Sequence, residues 1–151
     1  MNYSTKAKEL FLSGHNCAQA VFLAFSDLTG LDETASLRLS ASFGGGMGKL
    51  REVCGAVSGM FMVAGLLYGP DDPTDQSAKS EHYARIQYLA SKFRENNGSI
   101  ICRDLLGLSK PDGCVPSVRT NEYYSKRPCA DLVSDAAEIL EKYIFENPPK
   151  H

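Results

Sequence analysis

Residues 53–68 read VCGAVSGMFMVAGLLY and carry no charged side chain. The segment is shorter than the roughly 20 apolar residues that cross a bilayer, and aromatic residues do not flank it on both sides. Gly69 and Pro70 follow it, and helices commonly end at such residues. The sequence therefore predicts a buried, glycine-containing central helix at residues 53–68 and no membrane span.

Helical periodicity recurs on both sides of this segment. Apolar residues three and four positions apart predict further helices at residues 3–12, 16–29, 32–42, 74–95 and 129–145, with a helical turn at 102–106. We expect Asn16 and Thr74 to cap two of them. Because no segment predicts a strand, the sequence predicts an all-α, compact helical bundle that forms a single domain over residues 1–151.

Two stretches are predicted to be irregular. Residues 43–49, FGGGMGK, hold four glycines, whose conformational freedom is costly to restrict in a helix. This glycine run does not match a phosphate-binding P-loop, since Leu50 rather than Ser or Thr follows Lys49. Residues 107–128 contain several prolines and glycines, and we predict a long functional or mobile loop there.

Composition excludes some classes of function. The chain has 151 residues, enough for one domain with its own core, and a net charge of -2 that argues against nucleic-acid binding. The N-terminal residues MNYSTK are polar where a signal peptide needs an apolar run. We therefore expect a cytoplasmic protein, in which a framework of disulfides is not expected.

The cysteines carry the strongest functional signal. Four of the five stand at or beside a predicted helix start; these are Cys17, Cys54, Cys102 and Cys129. Free N–H groups and the positive end of the helix dipole at such a start favour a thiolate. A basic residue near each cysteine would lower the thiol pKa further; these residues are His15, Arg51, Arg103 and Arg127. Cys114 falls in the irregular stretch, and we predict that it is incidental.

The spacing of the four cysteines leaves their chemistry open. The sequence has no Cys-x-x-Cys pair, so the signatures of zinc ribbons, zinc fingers and thioredoxins are absent. A shared site would have to form by packing of four separate helix starts. Gly55 and Gly59, four positions apart, would admit either a bulky cofactor or a neighbouring helix to one face of the central helix.

The order of these motifs resembles the C_GCAxxG_C_C family of small redox-active proteins. The matching motifs are Cys17, the glycine run, VCGAVSG at 53–59, CRDLLG at 102–107, and Cys129. The family label writes Gly-Cys-Ala where this chain has Cys54-Gly55-Ala56.

The resemblance implies that the four cysteines at helix starts are the family's four and that Cys114 lies outside the pattern. The family is also similar to the non-haem part of split-Soret cytochromes, which suggests an iron–sulfur cluster. The chain has no Cys-x-x-Cys-His motif, so haem chemistry is not implied.

Three hypotheses follow. In the first, Cys17, Cys54, Cys102 and Cys129 ligate a [2Fe–2S] cluster in an electron carrier or redox sensor, Gly55 and Gly59 lie beside the cofactor, and nearby arginines tune its potential. In the second, two cysteines form the attacking and resolving pair of a thiol–disulfide oxidoreductase gated by residues 107–128. In the third, the four thiolates hold a structural zinc ion in a scaffold. We expect a redox partner protein and a homodimer.

Overall fold

The computed structural model describes residues 2–110 and 112–150; Met1, Pro111 and His151 lie outside the described residues. Its helices are α1 (Tyr3–Leu12), α2 (Cys17–Ala24), α3 (Ser26–Thr29), α4 (Glu33–Ser40), α5 (Gly55–Tyr68), α6 (Gln76–Asn97), α7 (Cys102–Leu106), α8 (Asn121–Lys126) and α9 (Cys129–Glu146). Among the described residues the one β-type pairing is an isolated bridge between Val53 and Ile101. The predicted all-α fold is confirmed.

Helix α5 lies at the centre of the packing. It contacts α2, α6 and α9, and α1 closes the bundle against α2 and α9. Every residue of its first half, 55–60, is buried, and its second half buries Val63, Ala64 and Leu67. In the part of the chain that the structure describes, no helix is both long enough and apolar enough to cross a membrane.

The predicted helix over residues 16–29 is wrong in its continuity. Asn16 caps α2 as expected, and its side chain forms a reciprocal capping box with Gln19. The helix ends at Phe25, which has φ −99° and ψ 19°, and α3 follows as a separate turn. Phe25 is fully buried and its ring stacks on Tyr3, with 4.3 Å between the centroids. This tertiary contact lies outside any periodic pattern.

The long helix α6 begins slightly later than predicted. Asp75, not Thr74, is its cap: the Asp75 carboxylate accepts a hydrogen bond of 2.9 Å from the Ala78 N–H. The Thr74 hydroxyl instead donates to Asp72 at 2.7 Å, so it is not available to the helix. Gly98, in the left-handed region at φ 89°, follows the last residue of the helix.

The other helix boundaries follow the predictions closely. The helix predicted over 32–42 ends at Ser40 and continues as a 3₁₀ turn at Ala41–Phe43. The central helix predicted over 53–68 begins at Gly55, because Cys54 is its cap.

The glycine run forms a left-handed turn. Consecutive residues 45–49 have φ values of 68°, 71°, 69°, 58° and 65°, so the run does not continue as a right-handed helix. The turn is closed by backbone hydrogen bonds from Arg51 N–H to Gly45 O (3.2 Å) and from Glu52 N–H to Gly46 O (2.9 Å). It redirects the chain into the segment that precedes α5.

The stretch predicted to be irregular, 107–128, contains helix α8, which the prediction missed. The Thr120 hydroxyl oxygen caps α8 by accepting a hydrogen bond of 3.1 Å from the Tyr123 N–H. A Thr cap followed by Glu122 in the first turn is a local signal that could have revealed this helix. The described residues between α7 and α8 form no helix.

Candidate functional site

Four helix starts meet at one cavity of about 70 Å³. Cys17 is the first residue of α2, Cys54 caps α5, Cys102 is the first residue of α7 and Cys129 is the first residue of α9. All four cysteines line the cavity. Cys114 is exposed and does not line this cavity. The predicted placement of four cysteines at helix starts is confirmed, and those starts converge.

A short backbone pairing brings Cys54 and Cys102 together. Next to the bridge between Val53 and Ile101, the Cys54 N–H donates to the Ile100 carbonyl at 2.8 Å. The Cys102 N–H in turn donates to the Glu52 carbonyl. The pairing aligns the segment before α5 with the segment before α7, so both helices begin at the same wall of the cavity.

Cys17 reaches the same cavity because Gly55 leaves room for its thiol. A Cβ atom on Gly55 would lie 2.6 Å from Cys17 Sγ. Gly55 itself lines the cavity. Gly59 lies one turn further along and is not among the lining residues; a Cβ there would lie 2.9 Å from the Ala18 carbonyl oxygen. Helices α5 and α2 therefore pack closely at Gly59.

The left-handed turn forms a wall behind Cys102. A Cβ on the buried Gly46 would lie 2.6 Å from Cys102 Cβ and 2.8 Å from Arg51 Cα. Residue 46 therefore has two reasons to be glycine, its φ of 71° and this contact. The glycine run fixes the positions of Cys102 and Arg51 relative to each other.

Arg51 is a buried cation at the site. Its side chain donates two hydrogen bonds to the Asp112 carboxylate, from Nε at 2.9 Å and from Nη2 at 2.6 Å. Its third nitrogen, Nη1, lies 3.6 Å from Cys102 Sγ. Lys49 Nζ is 3.5 Å from the same carboxylate. Asp112 thereby fastens the long connection after α7 to Arg51, which lines the cavity.

Arg119 and Tyr123 line the cavity and were missed by sequence reasoning. Arg119 donates to the carbonyl oxygens of Phe11 (2.6 Å) and His15 (2.8 Å). His15 therefore contributes a backbone oxygen to this arrangement, and its side chain is not among the lining groups.

Arg127 also lines the cavity, as its proximity to Cys129 in sequence suggested. Its guanidinium lies 5.4 Å from the centre of the Tyr123 ring. Arg103 does not line the cavity and instead pairs with Glu52 at 3.3 Å.

The model of a family described as "Putative redox-active protein (C_GCAxxG_C_C)" matches residues 15–143. This range begins just before α2 and holds all four cavity cysteines. The chain belongs to the C_GCAxxG_C_C family. Membership gives redox activity as the general function of the protein. Neither the curated proteins nor the solved structures contain a match.

Burial dominates the acid–base behaviour of three thiols in this C_GCAxxG_C_C protein. It raises the pKa of Cys54 and Cys102 and raises that of Cys129 to about 12. Hydrogen bonds from the N–H groups at the start of α5 lower the pKa of Cys54, and Arg51 lowers that of Cys102, but by less than burial raises them. The expectation that the net pKa values of these three thiols would be lowered is wrong, because burial outweighs the helix-start N–H groups and the cations.

These three thiols are therefore neutral near pH 7 in the metal-free protein. A metal centre would displace their protons, because thiolates are the ligating form. Among residues 2–110 and 112–150, no group of three or more His, Cys, Asp or Glu side chains could hold a single metal ion. Cys17, Cys54, Cys102 and Cys129 line a shared cavity without forming such a group.

Proposed function

We propose that the four-cysteine cavity holds an iron–sulfur cluster, [2Fe–2S], and that the protein acts in electron transfer or redox sensing. Cys17, Cys54, Cys102 and Cys129 would be the ligands, with Gly55 beside the cluster. The observation that carries the proposal is that these four cysteines, each from a different helix start, line one cavity. When bound, such a cluster supplies one-electron transfer.

The size of the cavity supports a polynuclear centre. Its volume of about 70 Å³ is several times the roughly 10–15 Å³ that one water requires by this measure. A [2Fe–2S] cluster takes two protein ligands on each iron, so its four cysteines need not surround a single point. Four cysteines that line one cavity without forming a single-ion group are compatible with such a cluster.

The charge around the cavity also supports the proposal. Four ligating thiolates carry negative charge into a buried site, where it is costly unless compensated. Arg51, Arg119 and Arg127 line the cavity and supply positive charge. Hydrogen bonds to the sulfurs, or positive charge close to them, raise the reduction potential of a cluster. Arg51 Nη1, at 3.6 Å from Cys102 Sγ, is placed for this role.

The apolar residues that line the cavity would exclude water. Phe11, Leu105 and Leu132 contribute apolar surface to the cavity. A dry, low-dielectric surrounding limits hydrolytic loss of a cluster and strengthens the effect of the nearby arginines. Loading would release protons from the buried thiols, so we expect the apparent affinity for metal to rise with pH.

A carrier or sensor of this kind exchanges electrons with a redox partner protein, which we propose as the physiological partner. We also propose that the protein works in the cytoplasm, where its thiols stay reduced. A homodimer would shield the mouth of the cavity further.

The thiol–disulfide alternative has weaker support. An attacking cysteine acts as a thiolate, whereas burial raises the pKa of Cys54, Cys102 and Cys129. The zinc alternative requires four sulfurs at about 2.3 Å from one ion, and no observation favours it over a cluster.

Metal and sulfide analysis of anaerobically purified and reconstituted protein distinguishes the three. Iron and sulfide in equal amounts, with visible absorption, are expected. Zinc without iron would support the scaffold. If the protein takes up no metal when it is incubated with iron and sulfide, and its thiols remain titratable, the result would support dithiol chemistry and contradict the proposal. Reconstitution is needed because oxygen can remove a cluster during purification.

A further inference from the structure

A second cavity of about 280 Å³, here called the outer cavity, adjoins the four-cysteine cavity. The two cavities share the side chains of Arg51, Arg119 and Arg127, and the outer one adds Lys49 and the exposed Cys114. No Asp or Glu is among the described residues that line it. The outer cavity therefore gathers four cations in a chain whose net charge is -2.

Little of this positive charge is cancelled by neighbouring side chains. Asp112 pairs with Arg51 at 2.6 Å and with Lys49 at 3.5 Å, and it is one carboxylate for two cations. Arg119 donates to two backbone carbonyls, which are neutral acceptors. With Asp112 counted, the outer cavity keeps an excess of about three positive charges, which lowers the energy of an anion placed there.

Arg127 is the cation best placed to take a ligand. Its guanidinium makes no ion pair with any described residue. The guanidinium carbon lies 5.4 Å from the centre of the Tyr123 ring. A guanidinium recognises planar carboxylates and phosphates through paired N–H donors. Arg127 therefore offers an unused donor set at the wall that both cavities share.

We propose that the outer cavity binds a small oxyanion, a carboxylate or a phosphate, with Arg127 as its principal ligand and Lys49 and Arg119 as supporting charges. The volume is slightly below the roughly 300 Å³ at which drug-sized ligand pockets begin, so the ligand is small. This site goes beyond the proposed cluster. Three of its cations also line the four-cysteine cavity, so binding is measured on the metal-free protein, in which no thiolate charge offsets them.

Calorimetric titration of the full-length protein tests the proposal. Inorganic phosphate and succinate are titrated separately at constant ionic strength, because salt screens such interactions. We expect saturable binding of at least one; the tighter of the two identifies the ligand class. Arg127→Gln should weaken that binding about tenfold or more, since a charged hydrogen bond contributes on that scale.

Arg94→Gln is the matched control, because Arg94 is exposed on α6 and does not line the outer cavity. It removes the same charge and should leave binding unchanged. Lys49→Gln gives a second test if Arg127→Gln fails to fold by circular dichroism. Absence of saturable binding with both anions, or equal binding by the Arg127 and Arg94 variants, would overturn the proposal. Either result leaves the metal analysis unaffected, so the two proposals fail separately.

Discussion

A Cβ atom on Gly55 would lie 2.6 Å from the Sγ atom of Cys17. It would also lie 2.9 Å from the Phe43 carbonyl oxygen, which as backbone cannot rotate away. Helix α5 thus begins directly against the Cys17 thiol. Residue 55 has to be glycine for α2 and α5 to bring Cys17 and Cys54 to the same cavity.

We predict that Gly55→Ala pushes α5 away from α2 and displaces the Cys17 thiol. Overpacking a core costs about 1–3 kcal/mol, so the free energy of unfolding in urea should fall by that amount. Gly65→Ala in the same helix is the control, because nothing lies within 4 Å of a Cβ there. Its stability should stay constant or rise by up to about 1 kcal/mol. Equal stabilities of the two variants would contradict the close contact.

A second glycine pair separates backbone conformation from contact. Gly46 and Gly48 both have positive φ, 71° and 58°. Alanine at either position should lower the free energy of unfolding by about 1–2 kcal/mol, because an L-residue is strained in the left-handed conformation. We predict a further cost of about 1–3 kcal/mol for Gly46→Ala alone, since its Cβ would lie 2.6 Å from Cys102 Cβ. Urea unfolding measures the stability of both variants. If Gly48→Ala were as unstable as Gly46→Ala, the predicted contact at Gly46 would be refuted.

The ion pair between Arg51 and Asp112 should matter for stability. Asp112→Asn leaves the buried Arg51 guanidinium without its counter-charge, and we predict a loss of about 1–3 kcal/mol at neutral pH. Arg51 holds the pKa of Asp112 well below its usual range. The stabilisation is therefore complete above about pH 4, where the carboxyl of the unfolded chain is ionised. It is lost as the pH falls further toward the lowered pKa.

Urea unfolding of wild type and Asp112→Asn across the acid range checks this prediction. The difference in free energy should be constant above about pH 5 and shrink below about pH 4. Asp131→Asn, which breaks an exposed pair with Lys8 at 3.1 Å, is the control and should cost less than about 1 kcal/mol. If the difference in free energy of unfolding between wild type and Asp112→Asn grew as the pH fell, the Asp112 carboxylate would not stabilise the fold through its charge.

The buried thiols predict alkaline instability of the metal-free protein. Their raised pKa values, about 12 for Cys129, keep them protonated when folded. In the unfolded chain they ionise above about pH 8.5, so the folded state holds more protons and stability falls as pH rises. Each buried thiol should contribute about 1.4 kcal/mol per pH unit.

The interval from about pH 8.5 to 9.5 favours the thiols, since the tyrosines of the unfolded chain have pKa values of about 10. The difference between wild type and a cysteine variant isolates the contribution of one thiol. Urea unfolding of metal-free protein should show a steep loss there, shallower in Cys129→Ser. Cys114→Ser is the control, because Cys114 is exposed and lies outside the cavity, and this variant should keep the wild-type slope. A flat wild-type profile, or an unchanged slope in Cys129→Ser, would contradict the burial of these thiols.

Local features of the sequence predicted the helix starts. Capping and apolar periodicity involve neighbours a few positions apart, and Asn16 with Gln19 forms the expected kind of cap on α2. The same local signals placed Cys54, Cys102 and Cys129 correctly. They could not show that the four starts converge, because the pairing of Val53 with Ile101 joins segments far apart in the chain.

The missed residues share this cause. Arg119 bonds to Phe11, 108 positions away, and such a contact leaves no mark on local spacing. The expectation of a lowered pKa at Cys102 is wrong because Arg103, its neighbour in sequence, pairs with Glu52. Burial then raises the pKa of Cys102 by more than Arg51 lowers it. Sequence proximity was a poor guide to charge at the site, and tertiary packing decided it.

The central claim is that four cysteines form one redox centre. Its most direct test is the visible spectrum, with iron and sulfide content, of single serine variants reconstituted anaerobically; these are Cys17→Ser, Cys54→Ser, Cys102→Ser, Cys129→Ser and Cys114→Ser. We predict that each of the first four loses the chromophore or binds it in altered form, and that Cys114→Ser matches wild type. Wild-type protein without iron and sulfide, or an unchanged spectrum in any of the first four variants, would contradict the claim.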